Sequence, residues 1–271
     1  METQLRQVQL KAKEILEEAI KICEKHSLRY FMIGGTMLGA VRHNGFIPWD
    51  DDIDIALPRK DYDLFLKYAE EELPHPYKVL RNYGKHDCFY AKIHNTETTF
   101  IESSTVGFPE YYKGVFIDVM PMDGMPSSEK ERQKYCKKIG NLVKAINWHR
   151  FNFKYCKTLK AKLCYLIPEK WLFKKWEKLI RKYSFEDSKF TCSSWTHNPE
   201  KSVVSRELFD SSRDYLFEGI AVKGVENYDE YLTLQFRDWR QLPPEEQRIN
   251  HSMTGVVDLG RSYNFYIETE D

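Results

Sequence analysis

Acidic side chains with the spacing of a metal site occupy one short stretch of this sequence. Asp52 and Asp54 flank Ile53, and Ile55 and Leu57 continue the apolar set. In a β-strand, side chains two residues apart share a face, so both carboxylates would lie on one face while the apolar side chains enter a core. Paired carboxylates at the end of a strand suit a divalent cation such as Mg²⁺, which prefers oxygen ligands.

A third acid interrupts a later apolar run, because residues 114–121 read Gly-Val-Phe-Ile-Asp-Val-Met-Pro with Asp118 in the middle. Burying an unpaired carboxylate is costly, so Asp118 needs a metal or another cation. Three such acids can hold one or two Mg²⁺ ions, or Mn²⁺, between a phosphate donor and an attacking hydroxyl. Asp118 would complete this site or accept the hydroxyl proton, and the ligand role is favoured because nearby cations keep a carboxylate ionised.

The stretch before these acids can bind a phosphate. An apolar run at residues 30–33 ends on Gly34 and Gly35, which predicts a strand that turns sharply into a helix beginning near Thr36. The first backbone N–H groups of a helix and the positive end of its dipole favour an anion. Gly34, Gly35 and Thr36 are therefore candidate phosphate-binding residues.

Two cationic side chains can reach the same phosphate. Arg42 lies about two helical turns beyond the glycines, where its guanidinium can fold back over a diphosphate. A solvated arginine at a helix end is the alternative. Lys92 alternates with apolar neighbours on a strand predicted to lead toward Asp118. It can contact a phosphate or remain an exposed strand lysine.

The combined motifs resemble those of the LicD family of bacterial phosphocholine transferases, which includes the fukutin-type ribitol-phosphate transferases. The resemblance is carried by Gly-Gly-Thr-x-Leu-Gly-Ala-x-Arg at 34–42, Gly-Phe-Ile-Pro-Trp-Asp-Asp-Asp-Ile-Asp at 45–54, Phe-Ile-Asp-Val at 116–119, and Leu-Pro-Pro-Glu-Glu-Gln-Arg at 242–248 with His251. It implies an α+β, nucleotidyltransferase-like mixed sheet flanked by helices, with an appended helical region. It also supports Arg42 as a catalytic residue and implies that Arg248 and His251 lie near the donor phosphates or the acceptor hydroxyl.

The resemblance implies transfer of phosphocholine, or a similar alcohol phosphate, from a CDP-alcohol donor such as CDP-choline. The acceptor would be a hydroxyl of a cell-surface or lipid-linked glycan, such as a teichoic acid, capsule or lipopolysaccharide precursor, and CMP would be released. The acids by themselves leave two alternatives: a nucleotidyltransferase that uses ATP or CTP on a small acceptor, and a non-catalytic nucleotide- or glycan-binding module. The second is disfavoured because a binding module does not need convergent carboxylates.

Composition narrows the classes of partner and the compartment. Lys plus Arg equals Asp plus Glu at 41 each, so no net charge favours nucleic acid. The six cysteines have no zinc-site spacing, which is typical of free thiols in a reducing cytoplasm. No signal peptide or membrane-spanning apolar run is visible, and we expect a cytoplasmic protein.

The composition shifts near residue 125, which predicts a catalytic core with an N-terminal helix at 1–125 and an appended helical and mixed region at 126–271. Lysines and arginines dominate residues 137–182, together with apolar residues that include Trp171 and Trp176. Such a stretch can lie peripherally on the inner face of an anionic membrane. It can equally form a helical bundle with solvated lysines, and this is the favoured interpretation.

Overall fold

The computed structural model describes residues 3–83, 85–150, 166–250 and 255–269. The chain forms two compact units. The first contains the described residues of Met1–Tyr83, Tyr90–Pro121 and Ser211–Asp271, and the second those of Gly84–Phe89 and Met122–Asp210.

The first unit combines helices with a mixed sheet. Its helices are α1 (Gln4–Lys25), α2 (Gly34–His43), α3 (Arg59–Glu72), α6 (Tyr228–Phe236) and α7 (Asn264–Glu268). Its strands are β1 (Phe31–Met32), β2 (Asp54–Pro58), β3 (Tyr77–Tyr83), β4 (His86–Asn95, from Tyr90 onward), β5 (Thr99–Ile101), β6 (Phe116–Gly124, as far as Pro121), β9 (Ser212–Phe217), β10 (Ile220–Val225) and β11 (Val256–Asp258).

The main sheet of this unit runs in the order β3-β4-β6-β2-β1-β10-β9. β1 pairs antiparallel with β2 and parallel with β10, whereas β4 pairs antiparallel with β6. The sheet is therefore mixed, and the α+β class predicted from the sequence is confirmed. β5 and β11 form a separate two-stranded sheet.

Alternating burial places the candidate acids at the edge of the core. Ile53, Ile55 and Leu57 are fully buried, as the two-residue period predicts. Helix α1 presents a buried stripe that includes Ala12 and Leu16 and packs against α3. These contacts hold β2 rigidly, so the side chains that project from its first residues have a defined direction.

The second unit is built on two helices. Helices α4 (Glu129–Arg150) and α5 (Glu169–Ile180) pack together, and β7 (Phe190–Cys192) pairs with β8 (Val204–Ser205) and with the end of β6. The buried Trp176 donates from its indole nitrogen to the Ser194 carbonyl over 3.0 Å. Residues 151–165 of the predicted basic stretch lie outside the described residues. In the described part of the chain, no helix is long and apolar enough to cross a membrane.

The division into units differs from the predicted boundary at residue 125. The region 126–271 does not form one body, because residues from Ser211 onward cluster with the first unit. Met32 of β1 pairs with Gly224 of β10, and Ile101 of β5 pairs with Val256 of β11. These pairings join residues far apart in the sequence, and local composition carries no signal for them.

Candidate functional site

The glycine turn lies directly against the aspartates. Helix α2 begins at Gly34, whose φ of +54° is in the left-handed region that favours glycine. A Cβ at Gly34 would lie 3.2 Å from Asp54 Oδ2, and one at Gly35 would lie 2.7 Å from Asp50 Oδ2. Only a residue without a side chain therefore leaves room here for both carboxylates.

One amide of the predicted phosphate cradle already has a partner. The Gly34 N–H donates to the Tyr231 hydroxyl over 3.0 Å, so it does not face an open anion site. The Thr36 hydroxyl accepts a hydrogen bond from the Asp54 N–H over 2.8 Å and ties α2 to the start of β2. The Thr36 hydroxyl thus positions Asp54. Phosphate binding by Gly35 and Thr36 stays a prediction.

The fold brings Asp118 beside the Asp-x-Asp motif. The Asp118 N–H donates to the carbonyl of Ile53 over 2.8 Å, which sets Asp118 next to the residue that separates Asp52 and Asp54. Burial raises the pKa of Asp52, and the Asp118 charge raises it further. Burial likewise raises the pKa of Asp54 well above its usual range, with additional repulsion from Asp52 and Asp118. All three carboxylates therefore share one electrostatic environment.

The neighbouring loop adds more negative charge. Burial and the Asp52 charge raise the pKa of Asp50 to about 8. Burial, followed by Asp52, raises the pKa of Asp51 to about 6. Such shifts arise when carboxylates are gathered without enough counter-charge, and they indicate a site that favours a cation.

Lys92 provides positive charge at this cluster. It stands directly opposite Asp118 in the β4–β6 ladder, and its ammonium forms an ion pair with Asp118 Oδ1. Its Nζ also lies 3.8 Å from the centroid of the Phe116 ring, and the Tyr90 hydroxyl donates to Asp118 Oδ2 over 3.3 Å. The side chain of Lys92 is only 12% exposed. The interpretation of Lys92 as an exposed strand lysine is therefore wrong, and its observed partner is a carboxylate.

A divalent cation fits the chemistry of these side chains. They offer oxygen donors and an excess of negative charge, which Mg²⁺ and Mn²⁺ prefer. In the part of the chain that the structure describes, Asp51 Oδ2 is buried without a hydrogen-bond partner. Over the same residues, no group of three His, Cys, Asp or Glu has the arrangement needed to hold a metal ion. The fit thus lies in charge and donor type, and the ligand role of Asp52, Asp54 and Asp118 stays a prediction.

A pair of arginines forms a positive region beside the aspartate loop. Arg42 donates to the Trp239 carbonyl over 3.2 Å and to His43 over 3.0 Å, and within the described residues it contacts no carboxylate. Burial lowers the pKa of Arg42, and the charge of Arg248 lowers it further, so Arg248 lies within electrostatic range of Arg42. The Arg248 guanidinium lies 5.7 Å from the centroid of the Trp49 ring. Like charges held together in this way favour an anion between them.

The aspartate loop is held from two sides. Gln9 of α1 donates to the Asp50 carbonyl over 2.7 Å, and Asn250 donates to the Trp49 carbonyl over 3.2 Å. The late segment that carries Arg248 therefore reaches the loop that carries the acids, whereas a place for Arg248 near the donor phosphates stays a prediction. His251 lies outside the described residues.

Sequence reasoning missed a second buried ion pair near the site. Lys113 is 1% exposed and donates to Glu102 Oε2 over 2.7 Å, and its Nζ lies 4.6 Å from the centroid of the Phe116 ring. Lys92 therefore shares the Phe116 ring with a second ammonium. Lys113 follows two tyrosines just before an apolar strand, a setting in which an exposed lysine is common. The residues next to Lys113 in the sequence therefore did not predict its burial.

Comparison with known proteins shows a similarity to one family. LicD of Haemophilus influenzae, named lipopolysaccharide cholinephosphotransferase, is 29% identical over 271 aligned positions, which cover 91% of this chain and 95% of that protein. Residues 27–139 match the family model described as LicD/FKTN/FKRP, nucleotidyltransferase domain. These residues are thus similar to the nucleotidyltransferase domain of the LicD family. The resemblance carried by the Gly-Gly and Asp-x-Asp motifs is thereby confirmed.

The region that matches the family model contains most of the candidate site. Residues 27–139 include the glycine turn, Arg42, Lys92 and all three aspartates, whereas Arg248 lies beyond them. Human ribitol 5-phosphate transferase FKRP is 37% identical over 49 residues, which cover 18% of this chain and 10% of that protein. Among solved structures, ANT(2″)-Ia aligns over 65% of this chain and 95% of its own, with 12% identity and a TM-score of 0.28, too low to establish a shared fold.

Proposed function

We propose that this protein is a metal-dependent transferase that moves phosphocholine, or a similar alcohol phosphate, from a CDP-activated donor to a hydroxyl of a cell-surface glycan and releases CMP. The observation that carries the proposal is the similarity to Haemophilus LicD, because it extends over 91% of this chain and 95% of the relative. A match of that extent reaches well beyond the residues 27–139 that match the family model. The charges of the site suit the reaction, because its carboxylates favour a metal ion and its arginines favour phosphate.

Asp52, Asp54 and Asp118 would hold Mg²⁺ or Mn²⁺. When bound, this ion would neutralise charge on the donor diphosphate and on the attacking hydroxyl. Thr36 fixes the direction of Asp54 through its hydrogen bond to the main chain. Lys92 and Tyr90 contact the two oxygens of Asp118 and keep that carboxylate oriented. In the metal-bound form, the cation would compete with the Lys92 ammonium for Asp118.

Arg42 and Arg248 would bind the donor diphosphate. Guanidinium groups match phosphate oxygens in geometry and charge, and here Arg248 lies beside Trp49 and within electrostatic range of Arg42. The Trp49 ring offers a flat apolar surface for the cytosine of the donor. The start of α2, at Gly35 and Thr36, would contribute backbone N–H groups to the same phosphates.

The reaction products test the proposal. The purified protein is incubated with Mg²⁺, CDP-choline and a glycan acceptor, such as lipopolysaccharide, teichoic acid or a capsule precursor, and CMP is measured. CMP formation that needs both acceptor and metal supports the proposal, and CDP-ribitol in parallel identifies the carried alcohol. Pyrophosphate release from ATP or CTP, without CMP from any CDP-alcohol, would instead establish a nucleotidyltransferase. No turnover with any donor would favour a binding module.

Substitutions test the roles of the acids. Asp52→Asn, Asp54→Asn and Asp118→Asn should each lower CMP release by at least about a hundredfold, because each removes charge from the metal site. Asp63→Asn is the matched control, since that carboxylate is exposed on α3 and pairs with Arg59 at 3.7 Å. Circular dichroism verifies the fold of each variant. Near-normal turnover in any of the three would contradict its assignment.

A further inference from the structure

An open groove of about 1060 Å³ lies between α4 and α5 of the second unit. Its floor is apolar and comes from both helices: Leu142, Ala145 and Trp148 from α4, and Leu172 and Leu179 from α5. Ala145 and Leu172 are buried, while the other three are half-buried. The groove therefore exposes continuous apolar surface on a chain whose overall charge is balanced.

The rim of this groove is strongly basic. Lysines surround it on both helices and just beyond α5, at Lys138, Lys144, Lys175, Lys178 and Lys182. All five are exposed, and none forms an ion pair with a carboxylate among the described residues. No Asp or Glu is found among the described lining residues either. The groove thus combines an apolar floor with unneutralised positive charge.

Exposed apolar side chains lie at the start of α5 and just before it. Leu166 is 78% exposed and Trp171 is 53% exposed, and Ile167 stands beside Leu166 in the sequence before the start of α5. The Nζ of Lys175 lies 4.9 Å from the centroid of the Trp171 ring, so Trp171 is adjacent to the basic rim. Tryptophan flanked by lysine is typical of side chains at the boundary between lipid and water.

We propose that the α4–α5 groove docks on an anionic phospholipid bilayer, with an acyl chain against the apolar floor and the lipid phosphate among the lysines. Charge complementarity supports this occupant, because a lipid phosphate offers negative charge beside a long apolar chain. The exposed Leu166 and Trp171 favour a bilayer over an acidic peptide, since they add exposed apolar surface at the start of α5, with Trp171 beside the rim residue Lys175. The proposal does not depend on the transfer reaction.

Vesicle co-sedimentation tests the electrostatic part. The full-length protein should bind phosphatidylglycerol vesicles at low salt, bind phosphatidylcholine vesicles weakly, and dissociate as salt rises. Neutralising Lys144, Lys175 and Lys178 together to Gln should lower the partition coefficient by about a hundredfold, from the contribution of each lysine near an anionic surface. The matched control neutralises Lys134, Lys137 and Lys174, which are exposed on the same helices but do not line the groove.

Fluorescence quenching tests the apolar part. Phosphatidylglycerol brominated on its acyl chains should quench the tryptophan emission of the bound protein, and Trp148→Phe with Trp171→Phe should remove most of that quenching. The proposal is overturned if the protein does not bind anionic vesicles, if the control variant loses binding equally, or if bound protein shows no quenching. Binding of a soluble acidic amphipathic peptide without vesicle binding would also overturn it. Circular dichroism shows whether each variant is folded.

Discussion

Lys92 stabilises a cluster of carboxylates, and its removal should destabilise the metal-free protein strongly. Its ammonium pairs with Asp118 across β4 and β6, and both side chains are largely shielded from water at 12% and 9% exposure. Lys92→Met keeps the apolar stem that lies near Phe116 but deletes the charge. The Asp118 charge, and its repulsion of Asp52 and Asp54, would then be uncompensated.

Removing one partner of a buried ion pair costs about 3–5 kcal/mol of unfolding free energy. Because this pair is largely shielded from water, solvent screening reduces that cost only slightly. We therefore expect Lys92→Met to lose about 3 kcal/mol of unfolding free energy in EDTA. Asp118→Asn should lose less, because it also relieves repulsion between carboxylates. The double variant should fall short of the sum by about 2 kcal/mol, since both changes act on one interaction.

Urea denaturation in EDTA, followed by circular dichroism, measures these losses. Lys223→Met is the matched control, because Lys223 pairs with Asp214 directly across β9 and β10, where the two side chains are 39% and 64% exposed. That exposed pair should contribute less than about 1 kcal/mol. Mg²⁺ should stabilise Lys92→Met more than the wild type, because the ammonium no longer competes for Asp118.

Two results would refute this reasoning. If Lys92→Met costs no more than Lys223→Met, the ion pair does not compensate the buried acids. If the losses of Lys92→Met and Asp118→Asn are additive, the two side chains do not act together. If Mg²⁺ stabilises Lys92→Met and the wild type equally, Lys92 does not compete with the cation for Asp118.

Three further outcomes are expected. Gly34→Ala should abolish CMP release and cost about 1 kcal/mol of stability, because the φ of Gly34 is +54° and the new Cβ would contact the Asp54 carboxylate. The control Gly219→Ala, with a φ of +83° and open space around the Cβ, should cost stability alone. Equal activity of the two variants would contradict the assignment of Gly34. Burial lowers the pKa of His94 to about 4, so the unfolded form binds the extra proton and this histidine should contribute a loss of about 2 kcal/mol of unfolding free energy between pH 7 and pH 5. In urea denaturation, the change in stability over this pH range should therefore be about 2 kcal/mol more favourable for His94→Leu than for the wild type. Arg42→Met should weaken CDP binding in calorimetry by about tenfold or more, whereas Arg240→Met, which is exposed and paired, should not.

The sequence by itself determined the local parts of the site. Gly34 and Gly35 predicted the sharp turn from β1 into α2, and the structure starts the helix there. The Asp-x-Asp alternation predicted which side of β2 carries carboxylates. Both predictions rest on conformational preferences of neighbouring residues, which the chain expresses locally.

The late part of the chain makes contacts that local sequence patterns do not predict. β10 pairs in parallel with β1, and the Tyr231 hydroxyl of α6 accepts a hydrogen bond from the Gly34 N–H. The return of Ser211–Asp271 to the first unit therefore gives the Gly34 amide a partner within the protein. Composition indicated a separate region after residue 125. Parallel pairing between distant segments depends on the packing of the whole unit, which no local window contains.

Tertiary structure alone decided the partners of the charged side chains. Alternation along β4 places Lys92 on a face of the sheet, but only the register against β6 puts it opposite Asp118. Burial of Lys113 with Glu102 and the approach of Arg248 to Arg42 likewise depend on contacts across the fold. The physical reason is that a residue's neighbours along the chain set its direction, whereas its electrostatic partners are set by which distant strands and loops pack beside it.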